Sequence, residues 1–118
     1  MTYRTPLEDV VVGGLDDWIY ETWVSNSVWN LTPPQNRRTV TLGLIAELLV
    51  SGLMIPGTVD RQGHHPWTCS IGDSIERIVR EWITDWGQEV PTPGAIVWLD
   101  NTEMGDELAR AVLAREAG

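Results

Sequence analysis

The residues best suited to bind a metal ion lie in one short stretch, where His64 and His65 precede Cys69. Imidazole and thiolate groups are the usual protein ligands of zinc. Adjacent histidines point in different directions on most backbones, however, and no second cysteine or carboxylate follows at a ligand spacing. Pro66 and Trp67 instead indicate a packed turn. We therefore expect no metal site and no other cofactor.

Catalytic motifs are missing from the sequence. It contains no glycine-rich phosphate loop, no Gly-x-Ser-x-Gly segment and no Cys–His pair at a motif spacing. Six of its 17 acidic groups lie near expected helix starts, where negative charge complements the helix macrodipole. These groups are Asp16, Asp17, Asp100, Glu103, Asp106 and Glu107. The sequence predicts a protein that is not an enzyme.

The best basic cluster is Gln35, Asn36, Arg37 and Arg38, at the start of an expected helix. These residue types read base edges and hold phosphates when a helix enters the major groove of DNA. Phosphate contacts normally dominate affinity for DNA, and the net charge of −9 opposes them. Nucleic-acid binding through these four residues is therefore the alternative function and not the preferred one.

The aromatic residues of the expected first helix indicate a contact with another protein. At about 100° per residue, Trp18, Tyr20 and Val24 flank the core-facing stripe, while Asp17 and Glu21 lie on a polar strip. An apolar arc this wide suits a helix at the centre of the core, or one partly covered by a second subunit or a partner. Tryptophan and tyrosine dominate interface energetics. These five residues are the predicted interaction site.

Composition narrows the classes of protein further. A chain of 118 residues fits one domain, and no apolar run approaches the roughly 20 residues that a membrane helix needs. The first nine residues lack the apolar core of a secretory signal, and a single cysteine fits a reducing compartment, so we expect a soluble cytoplasmic protein. The 17 acidic residues outnumber 8 basic ones, which favours a basic partner or simply maintains solubility.

The expected elements begin with an arm over residues 1–14 that is loosely held and contains a short strand at Val10–Val12. Residues 15–118 are expected to form one globular helical domain. Its first helix should run from Asp16, as the capping residue, to about Asn26. A second helix should open at Thr32 and end at Gly52.

Spacing predicts the remaining elements and the core. Apolar side chains four residues apart at Val40, Leu44 and Leu48 define the core stripe of the second helix. A third helix should start at Ser70 and end at Gly87. Its apolar set is Ile75, Ile78, Val79, Trp82, Ile83 and Trp86. Strands are predicted at 53–55, stopped by Pro56-Gly57, and at 95–99, with a loop or hairpin over 58–69. A last helix follows a cap at Asn101 or Thr102.

Two segments resemble parts of a winged-helix domain. The first, residues 45–55, is a helix that ends in Ser51-Gly52-Leu53 before a strand. The second, residues 97–105, is similar to the strand-to-helix passage Leu-Thr-x-x-Gly of winged-helix repressors, with two residues inserted between Leu99 and Thr102. The resemblance implies a DNA-binding transcriptional regulator.

The sequence as a whole predicts a mainly α, α+β fold of about four helices with a small two- or three-stranded sheet, a degenerate winged helix being one form of it. The expected function is a non-enzymatic protein-interaction module, such as a regulator, an inhibitor or an antitoxin-like or immunity-like partner. Its partner is another protein, with a basic one favoured and a homodimer left open.

Overall fold

Five α-helices and a four-stranded antiparallel sheet form the part of the chain, residues 3–118, that the computed structural model describes. The helices are α1 (Pro6–Gly13), α2 (Glu21–Val28), α3 (Arg37–Val50), α4 (Ile71–Glu81) and α5 (Glu103–Ala117). The strands are β1 (Ile19–Tyr20), β2 (Met54–Asp60), β3 (Gly63–Pro66) and β4 (Trp98–Asn101). The predicted α+β class is confirmed, with one more helix and at least one more strand than expected.

Helix α1 occupies the segment that was predicted to be a loose arm. Thr5 and Glu8 form a reciprocal capping box, in which the Thr5 hydroxyl accepts from Glu8 N and the Glu8 carboxylate accepts from Thr5 N. Val10 and Val11 are fully buried, and α1 packs against α5. The predictions of an arm and of a strand at Val10–Val12 are therefore wrong for residues 3–14. Met1 and Thr2 lie outside the described residues.

The predicted first helix is also wrong in its first part. Ile19 and Tyr20 form strand β1, opposite Leu99 and Trp98 of β4, and α2 starts only at Glu21. Aromatic and β-branched residues favour strands, and pairing with β1 gives β4 a hydrogen-bonding partner on the edge opposite β2. Asp16 consequently lies in a turn and does not cap a helix.

The sheet has the strand order β1-β4-β2-β3. Strand β2 runs through Pro56 and Gly57, the two residues predicted to stop it, and forms a hairpin with β3. Gly57 fits because an added Cβ would lie 2.5 Å from the backbone oxygen of His65. The sequence predicted either a loop or a hairpin over residues 58–69. The structure has a hairpin there, and it belongs to the sheet.

The core lies between the sheet and the helices. Along α3 the predicted stripe is buried at Leu44 and Leu48, whereas Val40 is 39% exposed. Ser70 caps α4 as predicted, and the helix continues as a π-helical turn over Trp82–Trp86 that ends at Gly87. Ile83 was predicted to lie in the core, but it is 47% exposed. It is the second residue of the π turn.

Candidate functional sites

The five residues predicted to form one interaction surface are divided by the structure. Glu21 and Val24 are fully buried, so neither can contact a partner, and this part of the prediction is wrong. Asp17 is exposed, and Trp18 and Tyr20 are half-buried. The division follows from the secondary structure, because the three accessible residues precede α2 instead of lying on it.

Glu21 has an internal role that the sequence did not reveal. Its carboxylate accepts hydrogen bonds from the backbone N–H groups of Ile96 at 2.7 Å and Gly94 at 2.9 Å. Burial raises the pKa of the Glu21 carboxyl, although these N–H donors act in the opposite direction. The contact ties the start of α2 to the loop before β4.

A shallow acidic depression lies where β1 begins. It is lined by Asp16, Asp17, Asp100, Trp18 and Leu15, with Gly14 beneath, and has a volume of about 260 Å³. The structure gives six ion pairs among residues 3–118, and none of them involves the three aspartates. The depression therefore presents three carboxylates without an internal cation.

Aromatic side chains support one side of the acidic depression. The ring centroid of Trp18 lies 6.4 Å from that of His64 on β3. His64 Nε2 lies 2.9 Å from the backbone oxygen of Trp98, and Tyr20 meets Trp98 edge to face at 5.2 Å. These contacts fix Trp18 against the hairpin while leaving it half-exposed beside the carboxylates.

The histidines and the cysteine considered as metal ligands have separate surroundings. His64 Nε2 contacts Trp98 O, while His65 Nε2 lies 2.8 Å from Asp60 Oδ1. Cys69 Sγ lies 3.3 Å from the hydroxyl of Ser74. Within residues 3–118 no three His, Cys, Asp or Glu side chains are grouped as metal ligands. Neither histidine is bonded to a serine or cysteine that it could activate as a nucleophile.

The basic cluster does not form a continuous exposed face. Gln35 and Asn36 are exposed on a short 3-10 turn, but Arg37 and Arg38 are half-buried. The Arg37 guanidinium lies 3.8 Å from the centroid of the Trp29 ring, and its Nε donates to Trp29 O at 3.1 Å. Arg38 Nη1 donates to Gly87 O at 2.7 Å.

These two arginines line a cleft of about 230 Å³, here called the arginine cleft. Its walls include Trp29, Trp82, Glu89 and Val90, and Ser25 also borders it. The walls come from segments up to about 65 positions apart in the sequence, so no local pattern indicated the cleft. The only hint was the Arg37-Arg38 pair itself.

An apolar groove opens between α1 and α3. It is lined by Pro6, Leu7, Val28, Val40 and Leu44, with Thr5 and Glu47 at its edges, and has a volume of about 480 Å³. The exposure of Val40 is explained by its position here.

Comparison of the chain with protein-family models, with curated proteins and with solved structures finds no match. None of the helices within residues 3–118 is long and apolar enough to cross a membrane.

Proposed function

We propose that the protein is a non-enzymatic interaction module that binds a basic segment of another protein in the acidic depression. The observation that carries this proposal is the set of three carboxylates, Asp16, Asp17 and Asp100, which line one depression and form no ion pair with any cation among residues 3–118. Lysine or arginine side chains of a partner would complete these ion pairs.

Two further features support a basic partner. The net charge of −9 raises the rate of encounter with a positively charged protein. Trp18, at the edge of the depression, offers a ring face to a guanidinium or ammonium group. A symmetric homodimer is disfavoured at this surface, because an isologous contact would bring the same carboxylates of two copies together.

The earlier alternative, a winged-helix regulator that binds DNA, remains a prediction. Arg37 and Arg38 make internal contacts with Trp29 and Gly87, which reduces what they offer to phosphates. The unpaired, exposed thiol of Cys69 supports a reducing compartment and so the expected cytoplasmic location.

The test compares two triple variants with the same net charge. Asp16→Asn/Asp17→Asn/Asp100→Asn removes the carboxylates of the depression. The control, Asp85→Asn/Glu103→Gln/Glu107→Gln, removes three exposed carboxylates from α5 and from the π-helical turn after α4. Binding of a short peptide of alternating arginine and glycine is measured by isothermal titration calorimetry at about 20 mM and about 150 mM salt.

We expect the depression variant to weaken peptide binding about 30-fold, since three exposed ion pairs together contribute about 2 kcal/mol. The control should stay within about threefold of the wild-type protein. Equal losses in both variants would show that only total charge matters and would overturn the proposal. Light scattering on the free protein tests for self-association, which the proposal does not require.

A further inference from the structure

Arg37 and Arg38 are the two half-buried arginines that form no ion pair among residues 3–118, although the protein is rich in carboxylates. The ion pairs among residues 3–118 use Arg4, Arg77, Arg80 and Arg115. No described carboxylate oxygen lies within 4.0 Å of the Arg37 or Arg38 guanidinium nitrogens. Among residues 3–118 these two half-buried guanidinium groups therefore form no ion pair, although the Glu89 side chain lines the same cleft.

Helix stability does not explain their position. Both arginines lie in the first turn of α3, and that turn contains no acidic residue. Positive charge there opposes the helix macrodipole. A guanidinium has five N–H donors, and the structure gives Arg37 an acceptor only at Nε and Arg38 an acceptor only at Nη1. The remaining donors can hold a ligand oxygen in the bidentate way that suits arginine.

The rest of the cleft limits the size and charge of that ligand. Its volume of about 230 Å³ corresponds to about eight water molecules at ~30 Å³ each, which suits a small molecule. Trp29, Trp82 and Val90 supply flat or apolar walls. Glu89, in the same lining, repels further negative charge and so disfavours dianions and polyphosphates.

We propose that the arginine cleft binds a small monocarboxylate with a flat apolar body. The free N–H groups of Arg37 and Arg38 hold the carboxylate, and the apolar body lies against the exposed Trp29 and Val90 side chains. The arginine cleft shares no lining residue with the acidic depression. Monocarboxylate binding in the cleft can therefore be tested independently of the proposed function.

The experiment uses benzoate and indole-3-acetate as probes, with acetate and inorganic phosphate as comparisons, in isothermal titration calorimetry with the full chain. We expect saturable binding of the two aromatic acids with Kd below about 1 mM. Acetate lacks the flat body and phosphate carries more charge, so both should bind at least about tenfold more weakly. Absence of saturable binding of either aromatic acid at about 10 mM, or tighter binding of phosphate, would overturn the proposal.

Matched variants locate the site. Arg37→Gln/Arg38→Gln should weaken benzoate binding at least about tenfold. The control, Arg61→Gln/Arg110→Gln, changes the net charge equally at two exposed arginines that take part in none of the ion pairs among residues 3–118. It should remain within about twofold of wild type. Equal losses in the two variants would overturn the assignment of the carboxylate to the cleft.

A further variant, Glu89→Gln, tests the monocarboxylate proposal if Arg37→Gln/Arg38→Gln does not fold. Its side chain makes no hydrogen bond or ion pair with the described residues, so the fold should tolerate the change. Loss of a negative charge from the cleft should tighten benzoate binding about threefold, and an unchanged or weaker affinity would contradict the proposal.

Discussion

Glu21→Ala would remove the carboxylate that accepts hydrogen bonds from Gly94 N and Ile96 N. Glu21 is fully buried, so water cannot readily take the place of the lost acceptor. A buried donor left without a partner costs about 1–3 kcal/mol. With two such donors, one of them only half-buried, we expect a loss of about 2–4 kcal/mol in the free energy of unfolding. That is a large share of the 5–15 kcal/mol, roughly, that stabilises a typical domain.

Urea denaturation followed by tryptophan fluorescence and circular dichroism measures this loss. Glu107→Ala is the control, because Glu107 is exposed on α5 and takes part in none of the ion pairs among residues 3–118. It should change the stability by less than about 0.5 kcal/mol. A cost below about 1 kcal/mol for Glu21→Ala would refute the view that this carboxylate holds the loop before β4.

The pH dependence of stability tests the same carboxyl in a second way. Burial raises the pKa of Glu21 above its ordinary value of 4.5, so the folded state binds this proton more readily than the unfolded chain. The resulting contribution to stability is fully present below about pH 4.5 and is lost as the pH rises through the folded pKa. Glu21→Gln lacks this titration. The stability of the wild type relative to Glu21→Gln should therefore fall as the pH rises above 4.5, and a constant difference would contradict the raised pKa.

Three other outcomes are expected. Trp82→Ala should cost about 3–5 kcal/mol in urea denaturation, because Trp82 is only 3% exposed; a cost below about 1 kcal/mol would mean that α4 does not pack as described. EDTA should leave the thermal midpoint unchanged, whereas a drop restored by zinc would reveal a metal site. Duplex DNA at about 100 mM salt should give no gel shift below micromolar protein; a sequence-selective complex lost in Arg37→Ala/Arg38→Ala would instead favour the DNA-binding alternative.

The parts of the fold that could be predicted are those determined by local sequence. Helix α4 follows its period from the Ser70 cap, and Gly87 ends the π turn after it with φ of 55°. Thr102 caps α5 as one of the two residues expected to do so. In each case the cap and the apolar spacing lie within the element itself.

Two errors at the start of the chain have different causes. The capping box of α1 was present in the sequence as Thr5 and Glu8 with Pro6 at the first helical position, and it was overlooked. Strand β1 could not be predicted in the same way, because Ile19 and Tyr20 are held by residues about 80 positions away in β4. A local period over residues 15–24 matched a helix equally well.

The candidate sites, like the fold, could be predicted only where their residues are close together in the sequence. Asp17 and Trp18 were identified correctly as accessible neighbours, but Asp100 joins them only through the pairing of β1 with β4. Glu21 was assigned to a surface because its two backbone donors lie more than 70 residues later in the chain. Which residues belong to these sites depends on contacts between segments far apart in the chain, and a single sequence does not show those contacts.

The two proposed sites have opposite charge, and this permits a test of both at once. The depression variant should lose the basic peptide yet retain benzoate, and Arg37→Gln/Arg38→Gln should show the reverse. Added salt should weaken peptide binding more, because Asp16 and Asp17 are exposed to screening whereas both arginines are half-buried. If either variant lost both ligands, a general change in fold or charge would explain the data better than two separate sites.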